Sequence, residues 1–212
     1  MSDLSAVLAA KVALRADLLA RRRALDPAAR ATAALAVAQA VAALIQTRRP
    51  TTVAAYVPVG NEPGGPDLPQ ALLTACMDGT ATLLLPVLRD DLDLDWARWS
   101  GEPLARASRG LRQPTGPLLG RHAIGHADLI ITPALAADRV GHRLGRGGGS
   151  YDRALIRARP GVPIVALLHD GELLDRAPAE AHDRRVTAAV TPATGLVRLD
   201  GALGDDASLA LG

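Results

Sequence analysis

Residues 128–168 read DLIITPALAADRVGHRLGRGGGSYDRALIRARPGVPIVALL. Two apolar runs in this stretch, 128–132 and 162–168, predict short buried strands. Between them lie a glycine-rich segment, 141–149, and a predicted helix from Tyr151 to Arg157. A strand, a loop, a helix and a second strand in this order are typical of a parallel sheet covered by helices. The stretch therefore predicts an α/β fold.

The rest of the chain extends this pattern on both sides. A pair of helices is predicted at the N-terminus, over 3–25 and from Pro27 to about Thr47, with Asp26 as the cap of the second. Further strands are predicted from Thr52 to Val57, from Thr82 to Leu85, where Pro86 ends the strand, and from Val186 to Val190. A strand from Leu92 to Trp99 is predicted to be half-exposed, because Leu and Trp alternate with Asp. We also predict a helix from Leu68 to Met77, a long loop over 100–126 and a frayed tail over the last dozen residues.

Several of the predicted strands are wholly apolar, which indicates a parallel or mixed sheet covered on both faces. The chain has 212 residues, no internal repeat and no clean linker. We therefore expect one domain over residues 1–212.

The composition excludes several classes of function. Lys and Arg number 24 against 22 Asp and Glu, and the longest basic run, 21–23, is predicted to be a solvated helix face. Aromatic residues make up 2% of the chain and Phe is absent, so the stacking platforms of single-stranded nucleic-acid binders cannot form. We expect no nucleic-acid partner.

The single cysteine, Cys76, excludes an intramolecular disulfide and a zinc site built from cysteines, and its apolar surroundings predict a buried side chain. The N-terminus lacks the order of a secretory signal, and no run of 18 uncharged apolar residues occurs. We expect a cytoplasmic protein with no membrane partner.

The segment 141–149 contains five glycines in nine residues and precedes a predicted helix. Backbone N–H groups in such a loop can form a cradle for an anion, and the helix start adds partial positive charge. Arg143 and Arg146 supply forked donors that suit phosphate oxygens. The spacing matches neither the P-loop nor the dinucleotide fingerprint. A flexible surface turn is the alternative, but the two arginines favour phosphate.

Several side chains near this segment are candidates for chemistry. Asp152 is a candidate magnesium ligand, with helix capping as its alternative, and Asp183 could join it or remain a solvated turn residue. Glu62 follows the strand that begins at Thr52, where ligands of α/β proteins bind, and could accept hydrogen bonds from a polar heterocycle or be a plain loop residue.

Lys11 and Arg15 share one helical face. The repulsion between their like charges would be relieved by a bound anion. From the sequence alone, however, two solvated charges remain the favoured interpretation.

Four segments occur in a characteristic order: Lys11-x-x-x-Arg15 on the first helix, Pro58-x-x-Asn61-Glu62 after a strand, Asp128-Leu-Ile-Ile-x-Pro133 running into Arg143-Leu-Gly-Arg-Gly-Gly-Gly-x-Tyr151-Asp152-Arg153, and Pro178-x-Glu180-x-His182-Asp183 before the last strand. Together they resemble the 5-formyltetrahydrofolate cyclo-ligase family, also called methenyltetrahydrofolate synthetases. The resemblance covers roughly residues 8 to 192, and the stretch 143–153 is its most characteristic part.

The resemblance implies a three-layer α/β/α sandwich that has a mixed, mostly parallel sheet and an N-terminal helical pair. It also implies an enzyme, a ligase that uses ATP to convert 5-formyltetrahydrofolate to 5,10-methenyltetrahydrofolate with release of ADP and phosphate. Its small-molecule substrates would be ATP and the folate, its cofactor Mg²⁺, and its expected state a monomer.

The same resemblance implies the roles of the site residues. Arg146 and Lys11 would be catalytic, and Asp152 and Asp183 would position Mg²⁺. ATP would contact Lys11, Arg15, Arg143, Leu144, Gly145, Arg146, Gly147, Gly148, Gly149, Ser150 and Tyr151. The folate would contact Arg15, Val57, Glu62, Arg146 and Ser150.

The chain departs from the family where members often carry aromatic side chains: it has Ser150, Ala137 and His169. The folate pocket would then be lined by aliphatic residues, with Trp96, Trp99 and Tyr56 as the available aromatics. Two alternatives stay open at this point. One is a divergent relative that keeps the nucleotide cradle without folate turnover, and the other is an α/β enzyme like a sugar-phosphate isomerase, which uses no ATP.

Overall fold

The structure is a computed structural model that describes residues 2–78, 80–179 and 184–199. Its helices are α1 (Ser2–Ala24), α2 (Pro27–Arg48), α3 (Leu68–Asp78) and α4 (Ser150–Leu155). Its strands are β1 (Thr52–Ala54), β2 (Thr82–Leu88), β3 (Leu94–Arg98), β4 (Ala105–Arg106), β5 (Arg112–Gln113), β6 (Leu129–Pro133), β7 (Ala136–Asp138), β8 (Arg143–Leu144), β9 (Ile164–Leu167), β10 (Leu173–Leu174), β11 (Ala188–Thr191) and β12 (Gly195–Arg198).

Seven of these strands form one sheet in the order β12-β11-β9-β6-β1-β2-β3. The five inner strands pair in parallel, and β3 and β12 add an antiparallel strand at each edge. The predicted mixed, mostly parallel sheet is confirmed. A smaller sheet, β10-β7-β8, stands beside it, and β4 and β5 form a hairpin.

Helices cover both faces of the large sheet, as the three-layer prediction requires. On one face, α2 and α3 pack over Leu129 and Ile131 of β6. On the other face, α4 and a 3₁₀ helix (Arg121–His126) pack over Ile130. Consecutive residues of β6 thus point to opposite cores, because side chains alternate along a strand. The one-domain prediction for 1–212 stays a prediction, since 200–212 lie outside the described residues.

The two N-terminal helices have different neighbours. Asp26 caps α2 by accepting the N–H groups of Ala28 and Ala29 at 3.0 Å, as predicted. By length and composition, α2 is the one helix in the described part of the chain that could cross a membrane. Its buried residues belong to the core that covers the large sheet. In contrast, Leu18 of α1 packs on the small sheet, against Leu135 and Leu144.

Two strand predictions were wrong in an informative way. Strand β2 continues through Pro86, because the pairing of β2 with β1 ends at Leu84 and the missing N–H of proline breaks no hydrogen bond beyond that point. Strand β3 is buried rather than half-exposed, because arginines from other elements neutralise its flanking acids. Asp93 accepts two hydrogen bonds from Arg157, at 3.0 and 2.6 Å.

Other boundaries also shift. β1 ends at Ala54, three residues before the predicted end, and the predicted loop 100–126 contains the β4–β5 hairpin and two 3₁₀ helices. Arg22 is buried, so the basic run 21–23 is not a uniformly solvated face. Cys76 is buried as predicted, and burial raises the pKa of its thiol to about 11.

Candidate active site

A cleft of about 450 Å³ opens at the carboxyl ends of β1, β2 and β6. Tyr56 and Val57 line it after β1, and Pro133 lines it at the end of β6. The carboxyl ends of parallel strands are where α/β proteins bind ligands, because the chain leaves the sheet there in loops. The opposite wall is the glycine-rich segment 145–149 with the first turn of α4.

The glycine-rich segment is fixed by side chains from two other parts of the fold. Nη2 of Arg153 donates to the carbonyls of Gly148, at 3.0 Å, and of Leu92, at 2.7 Å. Nε of Arg15 donates to the carbonyl of Gly145 at 2.9 Å. The segment is therefore a shaped wall of the cleft rather than a flexible surface turn.

Two glycines of this wall have positive φ angles, +100° at Gly147 and +70° at Gly149. A Cβ atom at Gly149 would also lie 2.8 Å from Nη1 of Arg153, whereas a Cβ at Gly148 would meet nothing closer than 3.9 Å. The backbone at Gly148 thus faces open space. Because α4 has only six residues, the loop N–H groups, and not a helix dipole, would contribute most to anion binding.

Arg143 and Asp152 form an ion pair at the start of α4. The guanidinium of Arg143 is buried and also donates to the carbonyl of Pro133 at 3.2 Å. Its Nε is buried and has no hydrogen-bond partner in the described part of the chain. The cap of α4 is Gly149, so the helix-capping alternative for Asp152 was wrong. Asp152 instead presents a half-exposed carboxylate to the cleft.

Arg146 and Glu62 face each other across the cleft. Nη1 of Arg146 lies 3.3 Å from Oε1 of Glu62, while Oε2 accepts the N–H of Val59 at 2.9 Å. The Glu62 side chain is 9% exposed and that of Arg146 is 53% exposed, so the carboxylate is buried in the cleft wall while the guanidinium reaches solvent. Burial raises the pKa of Glu62, and the Val59 N–H and Arg146 oppose that rise. Glu62 is thus not a plain loop residue.

Two buried phenols lie near this carboxylate. The hydroxyl of Tyr56 donates to the carbonyl of Pro63 at 2.6 Å, whereas the hydroxyl of Tyr151 has no partner within the described residues. Burial, and then the charge of Glu62, raises the pKa of both tyrosines, so both stay neutral donors. The Tyr151 residue lines the cleft, but its hydroxyl is buried and has no hydrogen-bond partner among the described residues.

Of the three aromatic residues predicted for the folate pocket, only Tyr56 lines the cleft. Trp96 and Trp99 are buried in the cores on either face of the sheet. Tyr151 is a second aromatic residue at the cleft, and the rest of the apolar lining is aliphatic and includes Leu88, Leu92, Leu94 and Leu111.

Lys11 and Arg15 are not two solvated charges, contrary to the favoured interpretation of the sequence. Lys11 is buried, and Arg15 is half-buried against the glycine-rich segment. Lys11 does not line the cleft.

The same helical face continues through Leu18 to Arg22, a residue that sequence reasoning missed. Its signal was the spacing of 11, 15, 18 and 22, which places all four on one stripe of α1.

Of the two predicted magnesium ligands, Asp152 is described by the structure, and Asp183 lies outside the described residues. Within the described residues, no cluster of three or more His, Cys, Asp or Glu could hold a metal ion. Mg²⁺ bound with a nucleotide needs only one or two protein carboxylates, since phosphates and waters supply the other ligands. The half-exposed carboxylate of Asp152 fits that requirement.

The fold and the cleft define an α/β protein with a cleft between a glycine-rich loop and the carboxyl ends of its strands. Comparison with known proteins makes the class specific. The chain belongs to the 5-formyltetrahydrofolate cyclo-ligase family, whose model matches residues 7–192. The predicted resemblance is therefore confirmed.

Relatives with known names agree with this membership. The 5-formyltetrahydrofolate cyclo-ligase of Mycolicibacterium smegmatis is 44% identical over 194 residues, which is 89% of this chain and 97% of the relative. The Escherichia coli enzyme of the same name is 41% identical over 70 residues, 31% of this chain and 36% of that protein.

Two solved structures share the fold. The NMR structure of Aquifex aeolicus 5,10-methenyltetrahydrofolate synthetase superposes with a TM-score of 0.75 at 26% identity, covering 90% of this chain and 93% of the other. The Mycoplasma pneumoniae synthetase gives a TM-score of 0.67 at 19% identity, over 84% and 96% of the two chains. The second likeness concerns the fold alone.

Proposed function

We propose that the protein is an ATP-dependent 5-formyltetrahydrofolate cyclo-ligase. It would close the ring between N5 and N10 of the folate to give 5,10-methenyltetrahydrofolate, ADP and phosphate. Family membership and the M. smegmatis relative support the reaction. The observation that carries the proposal is the juxtaposition of Arg146, a half-exposed cation on the glycine-rich loop, with Glu62, a buried carboxylate across the cleft.

The reaction needs activation of a formamide oxygen, which is a poor leaving group. In the proposed mechanism, the formyl oxygen attacks the γ-phosphorus of ATP and the bond to the ADP oxygen breaks. N10 then attacks the formyl carbon and loses its proton, and the carbon–oxygen bond breaks as phosphate leaves. The protein's part in such a transfer is to position the reactants and neutralise charge.

Arg146 would act on the transferred phosphoryl group. Its guanidinium is half-exposed and held by one 3.3 Å contact, so it can turn towards an arriving phosphate at small cost. A guanidinium placed where negative charge develops stabilises the transition state more than the ground state. Lys11, buried on α1, would add positive potential behind the nucleotide.

Glu62 and Val57 would hold the folate, and Tyr151 would contact the nucleotide. The Glu62 carboxylate has one oxygen on the Val59 N–H, and its other oxygen can accept N–H donors of the pterin. Arg15 and Ser150 stand close to the same loop and would contact the substrates where they meet.

The nucleotide would lie along the glycine-rich wall. Gly145, Gly147, Gly148 and Gly149 would supply its backbone contacts, and Gly148 has open space in front of it. Leu144, predicted as a further ATP contact, is buried against Leu18 and does not line the cleft. Because the Arg143 guanidinium is already bonded to Asp152 and Pro133, we propose that Arg143 supports the wall and fixes the Asp152 carboxylate. Mg²⁺ would neutralise phosphate charge, with Asp152 and Asp183 as its protein ligands.

The remaining parts of the proposal concern partners and location. We propose that ATP and the folate are the partners, that nucleic acid and membranes are not, and that the protein is a cytoplasmic monomer. The small net charge of +2 and the lack of a long basic run support the first point. The packing of the apolar face of α2 inside the core supports the second.

The experiment that tests the function measures ADP release by the purified protein with and without 5-formyltetrahydrofolate, alongside the absorbance of the methenyl product. We expect ADP release that depends on the folate and matches product one to one. ADP release without folate would favour the divergent relative. If neither substrate reacts, the proposal is wrong and an α/β enzyme without ATP becomes the better description.

The magnesium ligands have their own test. Asp152→Asn should raise the Mg²⁺ concentration needed for half-maximal rate by about 10-fold, because one of few carboxylate ligands is lost. An unchanged Mg²⁺ requirement would remove Asp152 from the metal site.

A further inference from the structure

We propose that the β4–β5 hairpin is a carboxylate-binding subsite that holds the glutamate end of the folate through Arg109 and Arg112. This inference rests on the proposed function and extends it to the part of the substrate that does not react. It arises from a contrast between two sets of arginines that line the same cleft from different segments.

The first set is already compensated. Arg143 is paired with Asp152, and Arg146 is paired with Glu62. The second set, Arg109 and Arg112, has no carboxylate within 4.0 Å among the described residues. Within the described residues, the Arg112 side chain makes one hydrogen bond, from Nη2 to the carbonyl of Pro66 at 3.3 Å. The hairpin thus brings unneutralised charge to the cleft.

The hairpin is anchored in place on the sheet side of the cleft. Oε1 of Gln113 accepts the N–H of Leu88 at 3.3 Å, which joins β5 to the end of β2. Arg109 lies at the tip with φ +60° and ψ 24°, a left-handed conformation that only a few per cent of residues other than glycine adopt. Its exposed guanidinium nonetheless lines the cleft.

The chemistry of the folate matches this layout from end to end. The pterin requires donors and acceptors such as Glu62, and the aryl ring requires an apolar wall such as Leu88 and Leu111. Beyond the aryl ring the substrate carries a glutamate. Its two carboxylates require cationic side chains that are not already paired with an acidic residue of the protein. Guanidinium groups bind carboxylates by paired hydrogen bonds. Arg109 and Arg112 are the cleft arginines that meet this condition.

The test compares the KM for 5-formyltetrahydrofolate and for its γ-linked triglutamate in wild type, Arg109→Ala, Arg112→Ala and the double variant. We expect each single substitution to raise the KM for the monoglutamate by about 3- to 10-fold, as for a partly exposed charged contact. In the double variant, the KM should rise by a larger factor for the triglutamate than for the monoglutamate. The KM for ATP should not change. The increase of KM with salt should be weaker in the double variant.

Arg198→Ala is the matched control, because Arg198 is an exposed arginine on β12, at the far edge of the large sheet. It should leave both folate KM values unchanged. Arg109→Gly is a second variant that removes the guanidinium while keeping the left-handed backbone, and it should match Arg109→Ala. The proposal is overturned if the double variant keeps both folate KM values, or if the KM for ATP rises instead.

Failure of the proposed function would look different. If the wild-type protein releases no ADP with either folate, the reaction is wrong and the subsite falls with it. If the wild type turns over the folate but the hairpin variants do not change its KM, only the subsite is wrong.

Discussion

The guanidinium of Arg22 and the carboxylate of Glu172 form a buried two-point ion pair, with Nε–Oε1 and Nη2–Oε2 distances of 2.7 Å. Oε2 of Glu172 also accepts the backbone N–H of His169, whose Nε2 lies 2.9 Å from the carbonyl oxygen of Asn61. The side chain of Asn61 returns to the carbonyl of Arg22 at 2.9 Å. This closed network joins α1 to the residue beside Glu62, so it fixes one wall of the cleft.

We expect Arg22→Met to lower the free energy of unfolding by about 3–5 kcal/mol, because it leaves the Glu172 carboxylate buried without its partner. Urea unfolding at neutral pH measures the change. The double variant Arg22→Met/Glu172→Leu should lose less than the sum of the single variants, since it removes both charges. A loss below about 1 kcal/mol for the single variant would contradict this account.

Arg146→Ala should lower kcat by at least about 100-fold, because the lost guanidinium stabilises charge that develops in the transition state. Arg146→Lys should recover part of the rate, since it keeps the charge but not the forked geometry. Single-turnover measurements with saturating ATP and folate test both variants. Arg139→Ala is the control, since Arg139 is an exposed arginine paired with exposed Asp175. A near-normal kcat for Arg146→Ala would remove this residue from the reaction.

Glu62→Gln should lower the activity without lowering the stability of the fold. Burial raises the pKa of Glu62, so its contribution to stability is fully present below its unfolded pKa and is lost as the pH rises through the higher folded pKa. At neutral pH the variant should therefore unfold at an equal or higher temperature, while kcat/KM for the folate falls by about 10- to 100-fold.

The pH profile of the same variant gives an independent check. In the wild type, kcat/KM for the folate should rise with pH through a pKa above the ordinary 4.5 of a glutamate. That acid limb should be absent in Glu62→Gln. A limb that persists in the variant would assign the titration to another group.

Lys11→Met should raise the KM for ATP by about 10-fold, because the substitution removes a charge and keeps most of the buried chain length. Initial rates at saturating folate over a range of ATP concentrations give the value. The KM for the folate should be much less affected. An unchanged KM for ATP would mean that Lys11 serves the packing of α1 and not the nucleotide.

Asp93→Asn should make the stability of the fold fall less steeply as the pH is lowered. Burial alone would raise the pKa of Asp93, but hydrogen bonds from Arg157 and from the N–H of Leu94 outweigh it and lower the pKa. The resulting stabilisation is present above the unfolded pKa of about 3.9 and is lost as the pH falls through the lower folded value. Thermal unfolding between pH 7 and pH 2 should show a smaller decline for the variant than for the wild type.

Much of the fold could be predicted from local patterns. The apolar run at β6 is buried, the Asp26–Pro27 start of α2 is where the sequence placed it, and the glycine-rich segment lines the cleft. These features depend on residues that are close together in the chain. The Asp93–Arg157 pair and the Arg22–Glu172 pair could not be predicted, because their members are 64 and 150 residues apart.

By itself the sequence determined the order of the four helices and of the inner strands of the large sheet, the family, and the residue types available for phosphate and pterin. Periodicity and turn chemistry act over a few residues, so they can be recognised without three-dimensional contacts. The tertiary structure decided which charges are compensated: Arg143 is paired with Asp152 and Arg146 with Glu62, whereas Arg109 and Arg112 have no acidic partner among the described residues. The electrostatic state of a side chain depends on its burial and its neighbours in space, and only the folded chain supplies both.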